Sequence, residues 1–225
     1  MNSTVVVALC AALGYLLGSV PTGYLVAKAR GVDIQNMGSG NIGATNILRS
    51  VGIVPAIIVI LMDPLKALLA MSLPLLLGLE PWAVATVGVA VMLGNIYNVF
   101  LGFRGGKGIA TSLGVYLSVE PLITVLITLL AVMIMAVGRY VSLGALMGAS
   151  AAPLMLIARG HFEPAYFALA VVLVTLAFIR HRSNLIKLAK GTERRLGEKA
   201  TKLKGPDAAS QDAALSQDAQ GNARD

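Results

Sequence analysis

Residues 38–49 read Gly-Ser-Gly-Asn-Ile-Gly-Ala-Thr-Asn-Ile-Leu-Arg, and this polar, glycine-rich stretch lies between two long apolar runs. In a lipid-soluble chain, irregular backbone is tolerated only where it is buried in protein or lines a water-filled cavity. Short hydrogen-bonding side chains stand at Ser39, Asn41, Thr45 and Asn46. The glycines leave main-chain N–H groups accessible, and Arg49 adds a planar cation. Amides in a concave turn, hydroxyls and a guanidinium favour a phosphate site over a solvated loop.

A second loop of the same kind follows at residues 102–108, Gly-Phe-Arg-Gly-Gly-Lys-Gly. It contributes Arg104 and Lys107 together with four more glycines. One glycine-rich loop is most simply explained as a turn. Two cationic loops of this type in one small chain favour an anion-binding site.

The composition indicates an integral membrane protein. Of the 225 residues, 56% are hydrophobic and 13% are charged, whereas soluble domains carry about 25% charged residues. The first apolar stretch is long and lacks the cationic start of a secretory signal, so it is interpreted as a retained helix. The single cysteine, Cys10, excludes an intrachain disulfide framework. The predicted fold is therefore an all-α polytopic membrane bundle.

The number of membrane crossings is predicted from the charges. Apolar stretches run at about 5–27, 53–79, 82–101, 109–137, 140–158 and 162–180. Glu120-Pro121 interrupts the fourth stretch and suits a turn, which raises the count from six to seven. With seven crossings nearly all Lys and Arg residues fall on one side, so the positive-inside rule places the N-terminus outside and the C-terminus in the cytoplasm. The fourth piece would then rise only ~18 Å, less than the ~30 Å hydrocarbon layer.

Under this topology the polar loops all open on the cytoplasmic face, which predicts one site there. The membrane-embedded domain is expected to comprise residues 1–196. The remaining residues, 197–225, form a tail that is first basic and then of low complexity, with a repeated Gln-Asp-Ala triplet. We expect disorder and no catalytic role for this tail.

Four motifs resemble those of the bacterial acyl-phosphate-dependent glycerol-3-phosphate acyltransferases. They are residues 38–49, 102–108, Arg-Tyr-Val-Ser-Leu at 139–143 and His-Arg-Ser-Asn-Leu-Ile at 181–186. The resemblance extends over roughly residues 5–196. One departure precedes the second loop, where the family commonly has Gly-His-Ile-Phe-Pro-Val-Phe and this chain has Gly-Asn-Ile-Tyr-Asn-Val-Phe at 94–100. Neutral amides at Asn95 and Asn98 thus replace a histidine and a proline.

The resemblance implies transfer of a fatty acyl group from acyl phosphate to the sn-1 hydroxyl of glycerol 3-phosphate, giving lysophosphatidic acid for phospholipid synthesis. The implied location is the bacterial cytoplasmic membrane, with lipid around the protein. A functional link to the soluble acyltransferase that makes acyl phosphate is also implied. No cofactor, metal or nucleic acid is expected.

The chemistry assigns roles to the candidate residues. Acyl phosphate has a good leaving group, so the enzyme must mainly hold two anions together and stabilise developing charge. The expected catalytic residues are Ser39, Arg49, Lys107 and His181. The expected substrate-binding residues are Gly38, Gly40, Asn41, Gly43, Thr45, Asn46, Arg104, Gly105, Gly106, Ser142 and Asn184. The first loop is assigned to the donor phosphate, whereas Arg49, Lys107, Ser142 and Asn184 are assigned to glycerol 3-phosphate. His181 is a candidate base, or alternatively a histidine that caps a helix end.

Two other classes of membrane protein are alternative interpretations of the sequence, and each needs residues that can be checked. An anion channel would need polar residues along a path to the other face, yet the outer halves of the spans are almost entirely apolar. A metal-dependent alcohol phosphotransferase would need clustered aspartates, but Asp33 and Asp63 are the only ones before Asp207. Asp63 and Lys66 lie three residues apart inside the second span, which favours a structural ion pair over a catalytic one.

Overall fold

The computed structural model describes residues 2–160 and 163–198, and the elements in these ranges are all helical. The α-helices are α1 (Ser3–Gly18), α2 (Thr22–Lys28), α3 (Ala44–Ser50), α4 (Ile53–Leu76), α5 (Pro81–Ile96), α6 (Ile109–Val119), α7 (Pro121–Gly138), α8 (Val141–Ala158), α9 (Pro164–Arg180) and α10 (Arg182–Ala189). Short 3₁₀ helices occur at Ile34–Asn36 and Val99–Leu101. The prediction of an all-α membrane bundle is confirmed. The low-complexity tail beyond residue 198 lies outside the described residues.

Within the described chain, five helical stretches are long and apolar enough to cross a membrane. They are Ser3–Lys28, Ile53–Leu76, Pro81–Leu101, Pro121–Gly138 and Val141–Ala158. A sixth is obtained if α9 and α10, which are bent by 62°, count as one. α6 has only 11 residues and rises about 16 Å. The count of seven crossings therefore stays a prediction.

The break predicted at Glu120-Pro121 is present, because α6 ends at Val119 and α7 begins at Pro121. Glu120 lies at one end of the bundle and pairs with Arg159, which follows α8, at 2.6 Å. The start of α6 lies at the opposite end, beside the second glycine-rich loop. Whether α6 counts as a separate crossing stays part of the seven-span prediction.

Small residues set the closest helix contacts, as the glycine spacing on α1 and α8 indicates. A Cβ added at Gly18 of α1 would lie 2.1 Å from the carbonyl oxygen of Val91 on α5. A Cβ added at Gly144 of α8 would lie 2.6 Å from the carbonyl oxygen of Ala131 on α7. Neither contact leaves room for a side chain, so these two pairs of helices pack backbone against backbone.

Polar side chains of other helices and loops donate hydrogen bonds to the backbone at the break between α1 and α2, near Pro21. The break interrupts the helical hydrogen bonding of the Ser19 and Val20 carbonyls, and the Val20 carbonyl accepts from the Thr22 N–H at 3.0 Å. Lys66 donates to the Val20 carbonyl at 2.9 Å and pairs with Asp63 at 2.9 Å. Asn98 donates to the Ser19 carbonyl. The buried Asp63–Lys66 pair predicted on α4 is therefore present, and through Lys66 it ties α4 to the break.

Candidate active site

The predicted site residues gather around one small cavity of ≈ 190 Å³ at the end of the bundle where both glycine-rich loops lie. Eleven of them line it, namely Ser39, Asn41, Gly43, Thr45, Asn46, Arg49, Gly106, Lys107, Ser142, His181 and Asn184. A wider basin of ≈ 580 Å³ adjoins the cavity, and Ser39, Asn41, Lys107 and Asn184 border both spaces. Gly40, Arg104 and Gly105 line only the basin. Gly38 is buried beside Ser39 at a positive-φ turn.

Asn46 holds the first loop in shape from inside. Its amide NH₂ donates to the carbonyl oxygens of Met37 and Asn41, each at 2.9 Å, and its amide oxygen accepts from the Ser39 N–H at 3.1 Å. Asn46 is 4% exposed. Since its polar atoms are engaged by the loop backbone, Asn46 positions the loop rather than offering free groups to a ligand.

The Asn41 side chain also acts locally, because its oxygen accepts from the Gly43 N–H at 2.7 Å and closes a turn. Gly40 has a φ of +68°, a conformation that glycine adopts without strain. The tight backbone leaves the Ser39 side chain exposed between cavity and basin. Of the first loop's polar side chains, Ser39 is therefore well placed to meet a ligand.

The second loop uses two of its glycine N–H groups within the protein, whereas an amide cradle would leave them free for a ligand. The N–H groups of Gly105 and Gly106 donate to the carbonyls of Ile96 and Asn95 at 3.0 and 2.9 Å. Their glycine identity is explained by close approach, since a Cβ at Gly105 would lie 2.0 Å from the Asn95 carbonyl oxygen. These two glycines fasten the loop to the end of α5, and this attachment presents Lys107 to the cavity.

A chain of hydrogen bonds links three segments across the cavity. Lys107 donates to the side-chain oxygen of Asn184 on α10. The Asn184 NH₂ donates to the Glu193 carboxylate at 2.6 Å, and the Ser142 hydroxyl donates to the same carboxylate oxygen at 2.8 Å. Two of the residues assigned to the acceptor phosphate, Ser142 and Asn184, thus share one carboxylate oxygen, and Lys107 joins them through Asn184.

Arg49 closes the other side of the cavity. Its Nη2 donates to the carbonyls of Arg194 and Arg195 at 3.1 and 3.3 Å. Its Nε is buried and has no partner among the described residues, so one donor of the guanidinium is unused there. Burial, and secondarily the charge of Arg194, lowers the pKa of Arg49 from its ordinary value, but an arginine stays protonated in proteins.

Lys107 has the perturbed titration of a buried cation. Burial lowers the pKa of its ammonium from 10.5 to about 8, although the nearby Glu193 carboxylate opposes the shift. Lysine pKa values fall readily on burial because the neutral amine needs less solvation. Lys107 is therefore charged at neutral pH and loses its charge a little above it.

His181 follows the last residue of α9 and is 4% exposed. Its Nδ1 lies 2.8 Å from the carbonyl oxygen of Ala177, which makes Nδ1 the protonated nitrogen and Nε2 the acceptor. Burial, and next the charge of Lys107, lowers the pKa of the imidazole. The ring therefore caps the end of α9 and has a neutral Nε2 in the cavity wall, and its role as a base stays a prediction.

Four lining residues with polar side chains were absent from the predicted site, namely Glu193, Thr111, Asp63 and Asn95. Glu193 is one of two acidic residues, with Glu198, among the cations that follow α10, and this local departure from the basic pattern could have indicated it. Thr111 gives no signal in sequence, because Ser112 and Ser118 place similar hydroxyls in the same apolar helix. Asp63 was read as a structural partner of Lys66, which it is, but it also reaches the cavity wall.

Among the described residues, no three His, Cys, Asp or Glu side chains lie close enough together to hold a metal ion. The charges available to a ligand in the cavity are instead Arg49 and Lys107, with Glu193 and Asp63 as the acids. Such a site is suited to binding an anion through cationic and neutral donors.

Comparison with known proteins supports the same conclusion. The family model described as glycerol-3-phosphate acyltransferase matches residues 8–191. A glycerol-3-phosphate acyltransferase from Geobacter sulfurreducens is 45% identical over 185 residues, which is 82% of this chain and 94% of that protein. A crystal structure of PlsY, an integral membrane glycerol 3-phosphate acyltransferase in its glycerol 3-phosphate form, superposes with a TM-score of 0.81 at 37% identity. That match covers 85% of this chain and 96% of the other.

The lysophosphatidic acid form of the same enzyme superposes with a TM-score of 0.78 at 36% identity and covers 85% of this chain and 95% of that one. These matches agree in fold, length and sequence across the whole described bundle. The chain therefore belongs to the glycerol-3-phosphate acyltransferase family and is an integral membrane acyltransferase.

Proposed function

We propose that the protein transfers a fatty acyl group from acyl phosphate to the sn-1 hydroxyl of glycerol 3-phosphate, forming lysophosphatidic acid and inorganic phosphate. The observation that carries this proposal is the convergence of Arg49, Lys107, Ser142 and Asn184 on one small cavity. Two cations, a hydroxyl and an amide are suitable ligands for a phosphate monoester dianion. The relatives' names support glycerol 3-phosphate as the acceptor.

Glu193 supports the location of the acceptor phosphate. Its carboxylate accepts from Ser142 and Asn184, so these donors already hold an anionic oxygen in the structure. A phosphate oxygen would be bound by the same geometry. Binding of glycerol 3-phosphate there would exchange the hydrogen bonds to Glu193 for hydrogen bonds to the phosphate.

The donor is assigned to the first loop. Ser39 borders both cavity and basin, and the loop that carries it is held by Asn46 from behind. Apolar side chains of Met135, Val141 and Ala145 line the same cavity and suit an acyl chain. In this arrangement the two phosphates lie on either side of the carbonyl carbon, and the cations of the site offset their mutual repulsion.

The transfer is a direct displacement on a mixed anhydride. The acceptor oxygen attacks the carbonyl carbon, the bond from that carbon to the phosphate oxygen breaks, and phosphate leaves with the electron pair. The hydroxyl proton passes to Nε2 of His181 and from there to the departing phosphate. Lys107, Arg49 and the Ser39 hydroxyl stabilise the charge that gathers on phosphate oxygens.

The proposed membrane is the bacterial cytoplasmic membrane, with the cavity open to the cytoplasm and a functional link to the soluble enzyme that supplies acyl phosphate. Single cysteines at Arg182 and Glu163, introduced after removal of Cys10, test the orientation. A membrane-impermeant thiol reagent added to intact cells should label position 163 and leave position 182 unlabelled. The opposite pattern would reverse the proposed topology.

The decisive test of the chemistry is transfer by purified protein in detergent, with glycerol 3-phosphate and palmitoyl phosphate as substrates. We expect lysophosphatidic acid and inorganic phosphate in equal amounts, with the acyl chain on the sn-1 oxygen. Efficient transfer from palmitoyl-coenzyme A and none from palmitoyl phosphate would contradict the proposed donor.

A further inference from the structure

The first turn of α6 presents unused donors to the cavity. Gly108 precedes the helix in the left-handed conformation, with a φ of 81°, and no side chain in the described ranges caps the helix. The first helical hydrogen bond runs from Ser112 N–H to the Gly108 carbonyl at 2.7 Å. Among the described residues, no acceptor receives the N–H groups of Ile109, Ala110 or Thr111. All three residues line the cavity.

Thr111 adds a hydroxyl to these amides. The residue is 0% exposed, and its Oγ1 has no hydrogen-bond partner in the part of the chain that the structure describes. Its neighbour Ser112 behaves differently, because that hydroxyl bonds the Ile109 carbonyl at 2.8 Å. A buried hydroxyl without a partner is unfavourable unless a ligand or water completes it. Thr111 lines the cavity, so a bound ligand would complete it.

We infer that the Thr111 hydroxyl and the free N–H groups of the first turn of α6 form the oxyanion site for the carbonyl oxygen of the acyl donor. This inference rests on the proposed acyl transfer. In that reaction the carbonyl oxygen is the atom on which negative charge builds as the acceptor attacks.

A carbonyl is favoured over a phosphate oxygen by the chemistry of these donors. Phosphate oxygens are served by the cations Arg49 and Lys107, both on the cavity wall. The carbonyl is neutral in the ground state and becomes negative only during attack, so neutral and pre-positioned donors stabilise it selectively in the transition state. Threonine has a stiff side chain, and the helix dipole favours negative charge at this end.

The site would act within the displacement described above. As the acceptor oxygen bonds to the carbonyl carbon, the π electrons move onto the carbonyl oxygen, which Thr111 and the amides receive. When the double bond re-forms, the bond to the leaving phosphate oxygen breaks. Thr111 donates a hydrogen bond throughout and transfers no proton.

Thr111→Val removes the hydroxyl at nearly constant volume and provides the test. We expect kcat to fall roughly a hundredfold, as for one lost oxyanion donor, with little change in KM for either substrate. Thr111→Ser keeps the hydroxyl and should stay within a few-fold of wild type. Ser112→Ala is the matched control, because it removes a hydroxyl that bonds only its own helix, and it should leave kcat unchanged. Thermal unfolding in detergent reports whether each variant is folded.

The outcomes separate this inference from the proposed donor. The carbonyl is common to acyl phosphate and acyl thioesters, so the comparison is made with whichever donor the wild type uses. A kcat loss in Thr111→Val that Thr111→Ser restores supports the inference with either donor. An unchanged kcat, or a raised donor KM at unchanged kcat, would overturn it. Equal losses in Thr111→Val and Thr111→Ser would also overturn it.

Discussion

Raising the pH should weaken the use of glycerol 3-phosphate through Lys107. Its pKa of about 8 means that the ammonium is mostly protonated at neutral pH and mostly neutral from about pH 9 upward. A neutral amine offers no charge to the acceptor phosphate. The kcat/KM for glycerol 3-phosphate should therefore fall roughly tenfold per pH unit above about pH 8.

Lys107→Arg is the informative comparison, because a guanidinium stays protonated over this range. Its absolute activity should drop, since a planar fork cannot reproduce the single contact to Asn184. Its descending limb should nevertheless move beyond pH 10. Initial rates at limiting glycerol 3-phosphate, from about pH 6.5 to 10 and corrected for donor hydrolysis, give the two profiles. Identical profiles for wild type and variant would refute the assignment of this limb to Lys107.

The remaining predictions concern the other cation, the donor loop, the loop attachment and metal dependence. Arg49→Lys should raise the KM for glycerol 3-phosphate more than it lowers kcat, because the bidentate fork is lost, and initial-rate kinetics measure both. Ser39→Ala should lower kcat roughly a hundredfold with little change in acceptor KM; the reverse pattern would contradict the division between the two phosphate sites. Gly105→Ala should prevent recovery of a monodisperse protein on size exclusion, because its Cβ would lie 2.0 Å from a carbonyl oxygen. Gly138→Ala, with its nearest atom at 3.9 Å, should be recovered normally. EDTA should leave turnover unchanged, and a loss that magnesium restores would reveal a metal site.

The helices could be predicted from sequence because their signal is local. Apolar runs long enough for a membrane are visible in any window of the chain, and Glu120-Pro121 marks a boundary by the chemistry of two residues. The Asp63–Lys66 pair is equally local, since it spans one helical turn. The prediction of one shared site came from the topology, because the seven-span arrangement places all the polar loops at the same end of the bundle.

The roles of individual site residues could not be predicted in this way, because they depend on long-range hydrogen bonds. Asn46 and Asn41 have the same side chain, yet one supports the loop from below and the other closes a turn. The amides of Gly105 and Gly106 are used by α5 rather than left open. Glu193 enters the cavity from a segment 51 residues beyond Ser142, and nothing in the local sequence indicates that approach.

Because residues near position 194 close the cavity, the order in which the chain is synthesised determines when the cavity can form. The carbonyl partner of Arg49 lies 145 residues further along the chain. At ordinary elongation rates, that partner is synthesised roughly 7–30 s after Arg49. Throughout that interval the first loop lacks the contacts that residues 194 and 195 make with Arg49. A product released before Glu193 has been synthesised would contain every apolar span and still lack a closed cavity. The cavity can therefore close only after the last apolar span has been synthesised.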